Sequence, residues 1–104
     1  MSAPTTPDGH HIVVNGRKWR ATDPAIPDEL RDELQRSLMA ARRAIAQSHR
    51  DDDPEAEREA RARVQIAKVA LGERGDPWWE QSDQERELRW TDGLQKLGTT
   101  GDRD

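Results

Sequence analysis

Apolar residues recur at Leu30, Leu34, Leu38, Ala41 and Ile45 with charged side chains between them, and nothing else in this 104-residue sequence restricts its folding as much. Spacings of three and four put these side chains on one stripe of an α-helix about six turns long, a pattern that fits no strand. Pro27 suits the first helical position because its φ is already fixed near the helical value. Asp28, Glu29, Asp32 and Glu33 lead the segment, and Arg42, Arg43 and Arg50 trail it, as the helix macrodipole favours. The spacing predicts a helix over 27–49.

Asp51, Asp52 and Asp53 interrupt the stripe. Asp53 followed by Pro54 reads as an N-cap and first-turn pair opening a second helix over 54–72, with Ala60, Val64, Ala67 and Leu71 as its apolar stripe. Gly72 or Gly75 supplies a left-handed stop. A connection this short makes the two helices antiparallel neighbours, and the Ala residues let them approach closely.

Ahead of the helices, I-V-V-N-G-R-K-W-R carries Asn-Gly between two strand-like runs, the strongest short-range signal for a β-hairpin. With Asn15 and Gly16 as the loop of a hairpin over 11–20, Val14 faces Arg17, Val13 faces Lys18 and Ile12 faces Trp19. Alternation then puts Ile12, Val14, Trp19 and the Arg17 stem on one face, and His11, Val13, Lys18 and Arg20 on the other. A lone hairpin is barely stable in water, so the Trp19 face is expected to anchor it onto the helices. Residues 1–9, with their Pro, Gly and small polar side chains, read as a flexible arm, and A-T-D-P-A-I-P as a turn.

Beyond Gly75 the pattern weakens. Asp76-Pro77 caps a turn carrying Trp78 and Trp79, and S-D-Q-E at 82–85 is a capping box ahead of Trp90, Leu94 and Leu97. Gly93 within that run costs about 1 kcal/mol relative to Ala. Residues 82–104 read as a weak third helix and a disordered acidic tail, leaving 10–81 as the folded domain. The fold class is α+β and mainly α: a hairpin packed on an antiparallel helical pair, followed by a short Trp-bearing segment.

Only 32% of the residues are hydrophobic and 37% are charged. Two Ala-rich stripes bury little apolar area, so such a core barely offsets chain entropy. A homodimer through the helical faces is one remedy. The absence of Cys excludes a thiolate metal site and a cysteine nucleophile. No apolar run approaches the about 18 residues of a membrane span, and the opening residues lack a signal peptide's regions, so a cytoplasmic protein without membrane contact is expected.

Reactive constellations are missing from the sequence. The three His hold no metal-ligand spacing, no Ser sits in a nucleophile turn, and no Gly-rich loop cradles phosphate. The expectation is no enzyme, no cofactor and no metal. Two sets of residues remain. All four aromatics are Trp, and Trp78 and Trp79 are adjacent, about 100° apart on a helix, so one core site cannot easily hold both rings. At least one ring is expected to close the open end of the helical pair; the other either packs with it or marks a contact surface, since Trp is the residue most enriched at binding hot spots. Lys18 and Arg20 on the hairpin add a second candidate contact. Arg36, Arg43 and Arg50, seven apart, line one stripe of the first helix and with Lys18 and Arg20 could meet phosphates. The net charge of −4 and the interleaved acids weigh against nucleic acid.

I-V-V-N-G-R-K-W-R-A-T-D-P-A-I-P, L-M-A-A-R-R-A and R-V-Q-I-A-K-V-A-L-G-E-R-G-D-P-W-W-E resemble a family of short actinobacterial proteins of uncharacterised activity, some of which carry the label "biopolymer transporter Tol". The resemblance spans residues 11 to 80, and R-W-T-D-G at 89–93 is similar to a further family segment. It implies a shared fold and carries no catalytic residue to this chain. The sequence has none of the membrane helix, periplasmic signal or propeller repeat that the label would require. The functional expectation is a non-catalytic intracellular adaptor that binds an unidentified protein partner through Trp78, Trp79, Lys18 and Arg20. The alternative is a nucleic-acid-binding accessory protein using Lys18, Arg20, Arg36, Arg43 and Arg50.

Overall fold

A computed structural model describes the backbone of residues 4–101 and the side chains as far as residue 98. Strands β1 (His11–Val14) and β2 (Arg17–Arg20) form an antiparallel hairpin, followed by helices α1 (Asp28–Arg50) and α2 (Pro54–Leu71). A single 3-10 turn, Trp78–Glu80, leads into helix α3 (Asp83–Gly101). The chain is mainly helical, with the hairpin at its N-terminal end, as the periodicities require.

The hairpin has the register that the Asn-Gly loop demands: Ile12 faces Trp19, Val13 faces Lys18 and Val14 faces Arg17. Asn15 and Gly16 take φ values of 52° and 76°, the two positive values of a type I′ turn. Residues 4–9 are not a free arm. Val13 N–H donates to the Pro4 carbonyl at 2.8 Å and Thr6 N–H to the His11 carbonyl at 2.9 Å, so the segment folds back along the outer edge of β1. The Thr6 hydroxyl donates to Asp8, which leaves its oxygen to accept the His11 N–H. These local polar bonds outweigh the flexibility that Pro and Gly suggest by composition.

Helix α1 begins one residue after Pro27, which is its N-cap and has an extended ψ of 142°. Leu34, Leu38 and Ala41 of its stripe are buried, and Leu30 packs against the same cluster. Asp52 makes the tight return with a φ of 54°. Asp53 caps α2 by accepting the Ala56 N–H at 3.1 Å, with Pro54 behind it. At the far end Gly72 takes the left-handed conformation, and the amides of Gly72 and Glu73 return to the carbonyls of Val69 and Lys68.

The third helix is firmer than its sequence suggests. Ser82 and Glu85 form a reciprocal capping box, with each backbone amide donating to the other's side chain. Trp90 and Leu97 are buried against α2 in the cluster that contains Ala67, Ala70 and Leu71. Gly93, costly in isolation, is what permits the crossing: a Cβ placed there would lie 2.4 Å from the Ala70 Cβ. α2 packs against both α1 and α3 and is thus the central helix, and α3 covers part of the thin core. The helix also runs on to Gly101, through residues expected to fray, whereas the remainder of the acidic tail, 102–104, lies outside the described residues.

Candidate functional site

Three places could carry function: the Trp78–Trp79 corner, an ion network beside it centred on a buried carboxylate, and two adjoining clefts, one beside the hairpin and one along α1. The corner arises because Gly75, at a φ of 87°, turns the chain back after α2, and Pro77 starts the 3-10 turn. Trp78 points inward and is 6% exposed. Its indole N–H donates to the Ala21 carbonyl at 2.9 Å, and the ring sits over Gly72, where a Cβ would meet its Cδ1 at 3.0 Å.

Trp79 points the other way and is half-buried. Its ring stacks flat on His10, with centroids 4.0 Å apart and planes 7° from parallel. His11 meets it edge-on at 5.6 Å, and the Arg20 guanidinium lies 5.7 Å from its centroid. Arg20 also donates to the Gly75 carbonyl at 2.6 Å. Trp79 therefore holds the hairpin, through the face that bears His11 and Arg20. Trp19, the expected anchor, is instead 44% exposed and covered on one side by its neighbour Arg17 at 4.8 Å. An indole offers its π-face to a flat imidazole and a guanidinium, so the polar side of the hairpin docks and the apolar side stays open.

The ion network centres on Asp23, which the sequence reading treats only as part of a turn. Its side chain is fully buried and all its acceptor positions are filled. Oδ1 accepts from the Ala25 N–H at 2.8 Å and Arg86 Nη2 at 2.5 Å; Oδ2 accepts from Arg86 Nε at 3.0 Å and Arg89 Nη2 at 2.5 Å. Burial by itself raises the carboxyl's pKa, but the hydrogen bonds from Arg86, Arg89 and the Ala25 amide prevail and hold it below its ordinary value. Arg89 reaches further, to the Ala70 carbonyl and to Gln81, and the Asp23 N–H donates to the Leu71 carbonyl. Segment 21–23 is thereby tied to the end of α2, to Trp78 and to α3. One sequence signal could have revealed it: Arg86 stands four residues before Trp90, and Arg89 four before Gly93, so both cations lie on the face of α3 that packs. Because two guanidinium groups and an amide saturate it, the carboxylate is a structural clamp and has no lone pair available for proton transfer.

The clefts lie on the other side of the hairpin. One, of about 480 Å³, is bounded by Ile12, Val14, Trp19 and Arg20 from the hairpin, by Arg42 and Lys68 from the helices, and by Glu73 from the turn after α2. The second, of about 760 Å³, runs along α1 past Arg36, Met39 and Arg43 and shares Arg42 and Glu73 with the first. Val14, Trp19 and Met39, three of the four exposed large hydrophobic residues among those described, sit in this pair of clefts. Burial and repulsion from Arg74 and Arg42 push the Lys68 ammonium below its usual pKa, against the pull of Glu73. Five cations, Arg20, Arg36, Arg42, Arg43 and Lys68, line these clefts against two acids, Asp32 and Glu73, although the chain as a whole is acidic.

Of the sequence-derived candidates, the structure brings Arg36 and Arg43 together at the α1 cleft, and places Arg20 beside Trp79 at the corner and in the lining of the hairpin cleft. Trp78 is in the core, Lys18 is exposed on the hairpin, and Arg50 lies at the end of α1, bonded to Gln47. Among the described residues, no group of three or more His, Asp or Glu is disposed to hold a metal ion, and no helix is long and apolar enough to cross a membrane. Comparison with protein-family models, with curated proteins and with solved structures returns no match for this chain.

Proposed function

We propose that this chain is a non-catalytic, protein-binding adaptor whose contact surface is a pair of adjoining clefts, one between the β-hairpin and the helices and one along α1. The observation that carries this reading is the gathering of Val14, Trp19 and Met39 at adjoining clefts. Single exposed apolar residues are normal on a protein surface, but a cluster rimmed by charges marks a contact site. An aromatic ring in a concavity, surrounded by Arg, has the composition of a binding hot spot. Trp78 and Trp79 support this surface indirectly, one filling the core and the other holding the hairpin at its angle.

The alternative, a nucleic-acid-binding protein using Lys18, Arg20, Arg36, Arg43 and Arg50, has less support. Arg20 is committed to Gly75 and Trp79, and Arg50 is bonded to Gln47. The basic stripe is thus divided, and Glu73 stands in the wall between the two clefts.

The test is affinity capture from host lysate with and without nuclease, using the native chain, Trp19→Ala and Met39→Ala. A protein that survives nuclease and is lost with either substitution supports the reading. Captured material that vanishes with nuclease, or a protein retained equally by both variants, overturns it.

A further inference from the structure

Resting on that protein-binding reading, we infer that the clefts take an acidic amphipathic peptide segment, whose apolar side chain seats against Trp19 and whose carboxylates meet Arg42, Arg43 and Lys68. Three features of the surface carry this. Apolar area is concentrated on the hairpin side, at Ile12, Val14 and the open face of Trp19, so the ligand needs an apolar residue there. Cationic groups stand on the helical side, with Arg42 common to both clefts, and Arg43 and Lys68 flanking it. The Lys68 ammonium is also disfavoured where it stands, first by burial and then by repulsion from Arg74 and Arg42, and a ligand carboxylate placed beside it offsets both.

The two acids that line the clefts, Asp32 on α1 and Glu73 between them, decide between a peptide and a polyanion. Glu73 accepts the Thr22 hydroxyl at 2.7 Å and is held in the shared wall of the clefts. A continuous phosphate backbone laid across Arg42 would pass this fixed carboxylate and be repelled by it. A peptide carries separate charges and can leave an uncharged residue or a backbone N–H opposite Glu73. Acidic residues on the partner would also be steered toward this positive region of an otherwise acidic chain.

The experiment uses a phage-displayed library of random 16-residue peptides, selected on the native chain and counter-selected on Trp19→Ala and Arg42→Glu. Both substituted residues are exposed, and only variants whose circular dichroism matches that of the native chain are used. The expected result is enrichment of Asp and Glu around a large apolar residue, with binding weakened by about tenfold or more in each variant and reduced by salt. Synthetic copies of the selected peptides and a 20-nucleotide RNA are then titrated by fluorescence anisotropy. Selected peptides that require Trp19 but are neutral or basic overturn the acidic chemistry while leaving the protein-binding reading intact. An absence of enrichment, or enrichment indifferent to Trp19→Ala, overturns both. RNA binding that outcompetes the peptides and is lost in Arg42→Glu overturns the inference in favour of a polyanion.

Discussion

The imidazole of His10 lies flat on the indole of Trp79, 4.0 Å between centroids, and joins the start of the β-hairpin to the turn between the second and third helices. Sixty-nine positions separate the two residues, so no local pattern announces the contact. It gives the second of the adjacent tryptophans a specific task. Trp78 goes to the core, and Trp79 supplies a platform on which the polar face of the hairpin rests.

Removing that platform should free the hairpin without melting the helices. Trp79→Ala loses a half-buried stacked ring and a guanidinium contact, worth about 2 kcal/mol together. In hydrogen exchange, the paired amides of β1 and β2 should lose protection while those of α1 and α2 keep theirs. Loss of protection throughout the chain would show that Trp79 supports the helical core itself.

The Asp23 clamp should be expensive to break and replaceable as a unit. Asp23→Asn leaves the partly buried Arg86 and Arg89 without their counter-charge, a loss of about 3 kcal/mol. Replacing all three by apolar residues, as in Asp23→Leu with Arg86→Met and Arg89→Met, should recover much of it. Equilibrium urea unfolding measures both, and a loss under about 1 kcal/mol for Asp23→Asn would contradict the clamp.

The same clamp gives the chain an acid limit. Because the folded state holds the Asp23 carboxyl below its ordinary value of 3.8, its contribution is fully present above that value. It declines as pH falls below 3.8 toward the lowered folded value. Thermal unfolding between pH 7 and pH 2 should show this steep acid limb in the native chain and a shallower one in Asp23→Asn.

At the α2–α3 crossing, Gly93→Ala should destabilise the protein although Ala is the better helix former. The added methyl would stand 2.4 Å from the Ala70 Cβ, between two backbones with little freedom to move. Overpacking of this kind costs about 1–3 kcal/mol, above the gain of about 1 kcal/mol in propensity. Ala70→Gly combined with Gly93→Ala should relieve the clash, and a double-mutant cycle would register the coupling.

Trp19 is separable from stability. It is the most exposed of the four indoles, so acrylamide should quench it preferentially, and Trp19→Phe should remove the most quenchable part of the emission. Trp19→Ala should cost about 1 kcal/mol or less in thermal unfolding. A larger loss would make Trp19 a packing residue and weaken its assignment to the contact surface.

Local interactions made much of this fold legible. The stripe from Leu30 to Ile45, the Asp53-Pro54 start, the Gly72 stop, the Asn15-Gly16 turn and the Ser82–Glu85 box act within a few residues, and each appears in the structure at the expected place. The composition of the first nine residues misled because their hydrogen bonds depend on β1 being in place. Gly93 misled for a related reason, since its value lies in the approach of Ala70 and not in its own helix. Of the surface residues, the sequence marked Arg36 and Arg43, but it could not show that Met39 and Trp19 would join them.

The sequence by itself determined where the helices and the hairpin lie, because periodicity, caps and turn residues are short-range effects carried by neighbouring residues. Only the tertiary structure decided which face of the hairpin docks, which tryptophan is buried and which carboxylate is clamped. Those outcomes depend on side chains 50 or more positions apart meeting in one place: Trp78 with Ala21, Trp79 with His10, Asp23 with Arg86 and Arg89. The open cleft beside Trp19 follows from them. Once Trp79 has engaged the polar face of the hairpin, its apolar face is left turned toward the cations of α1 and α2.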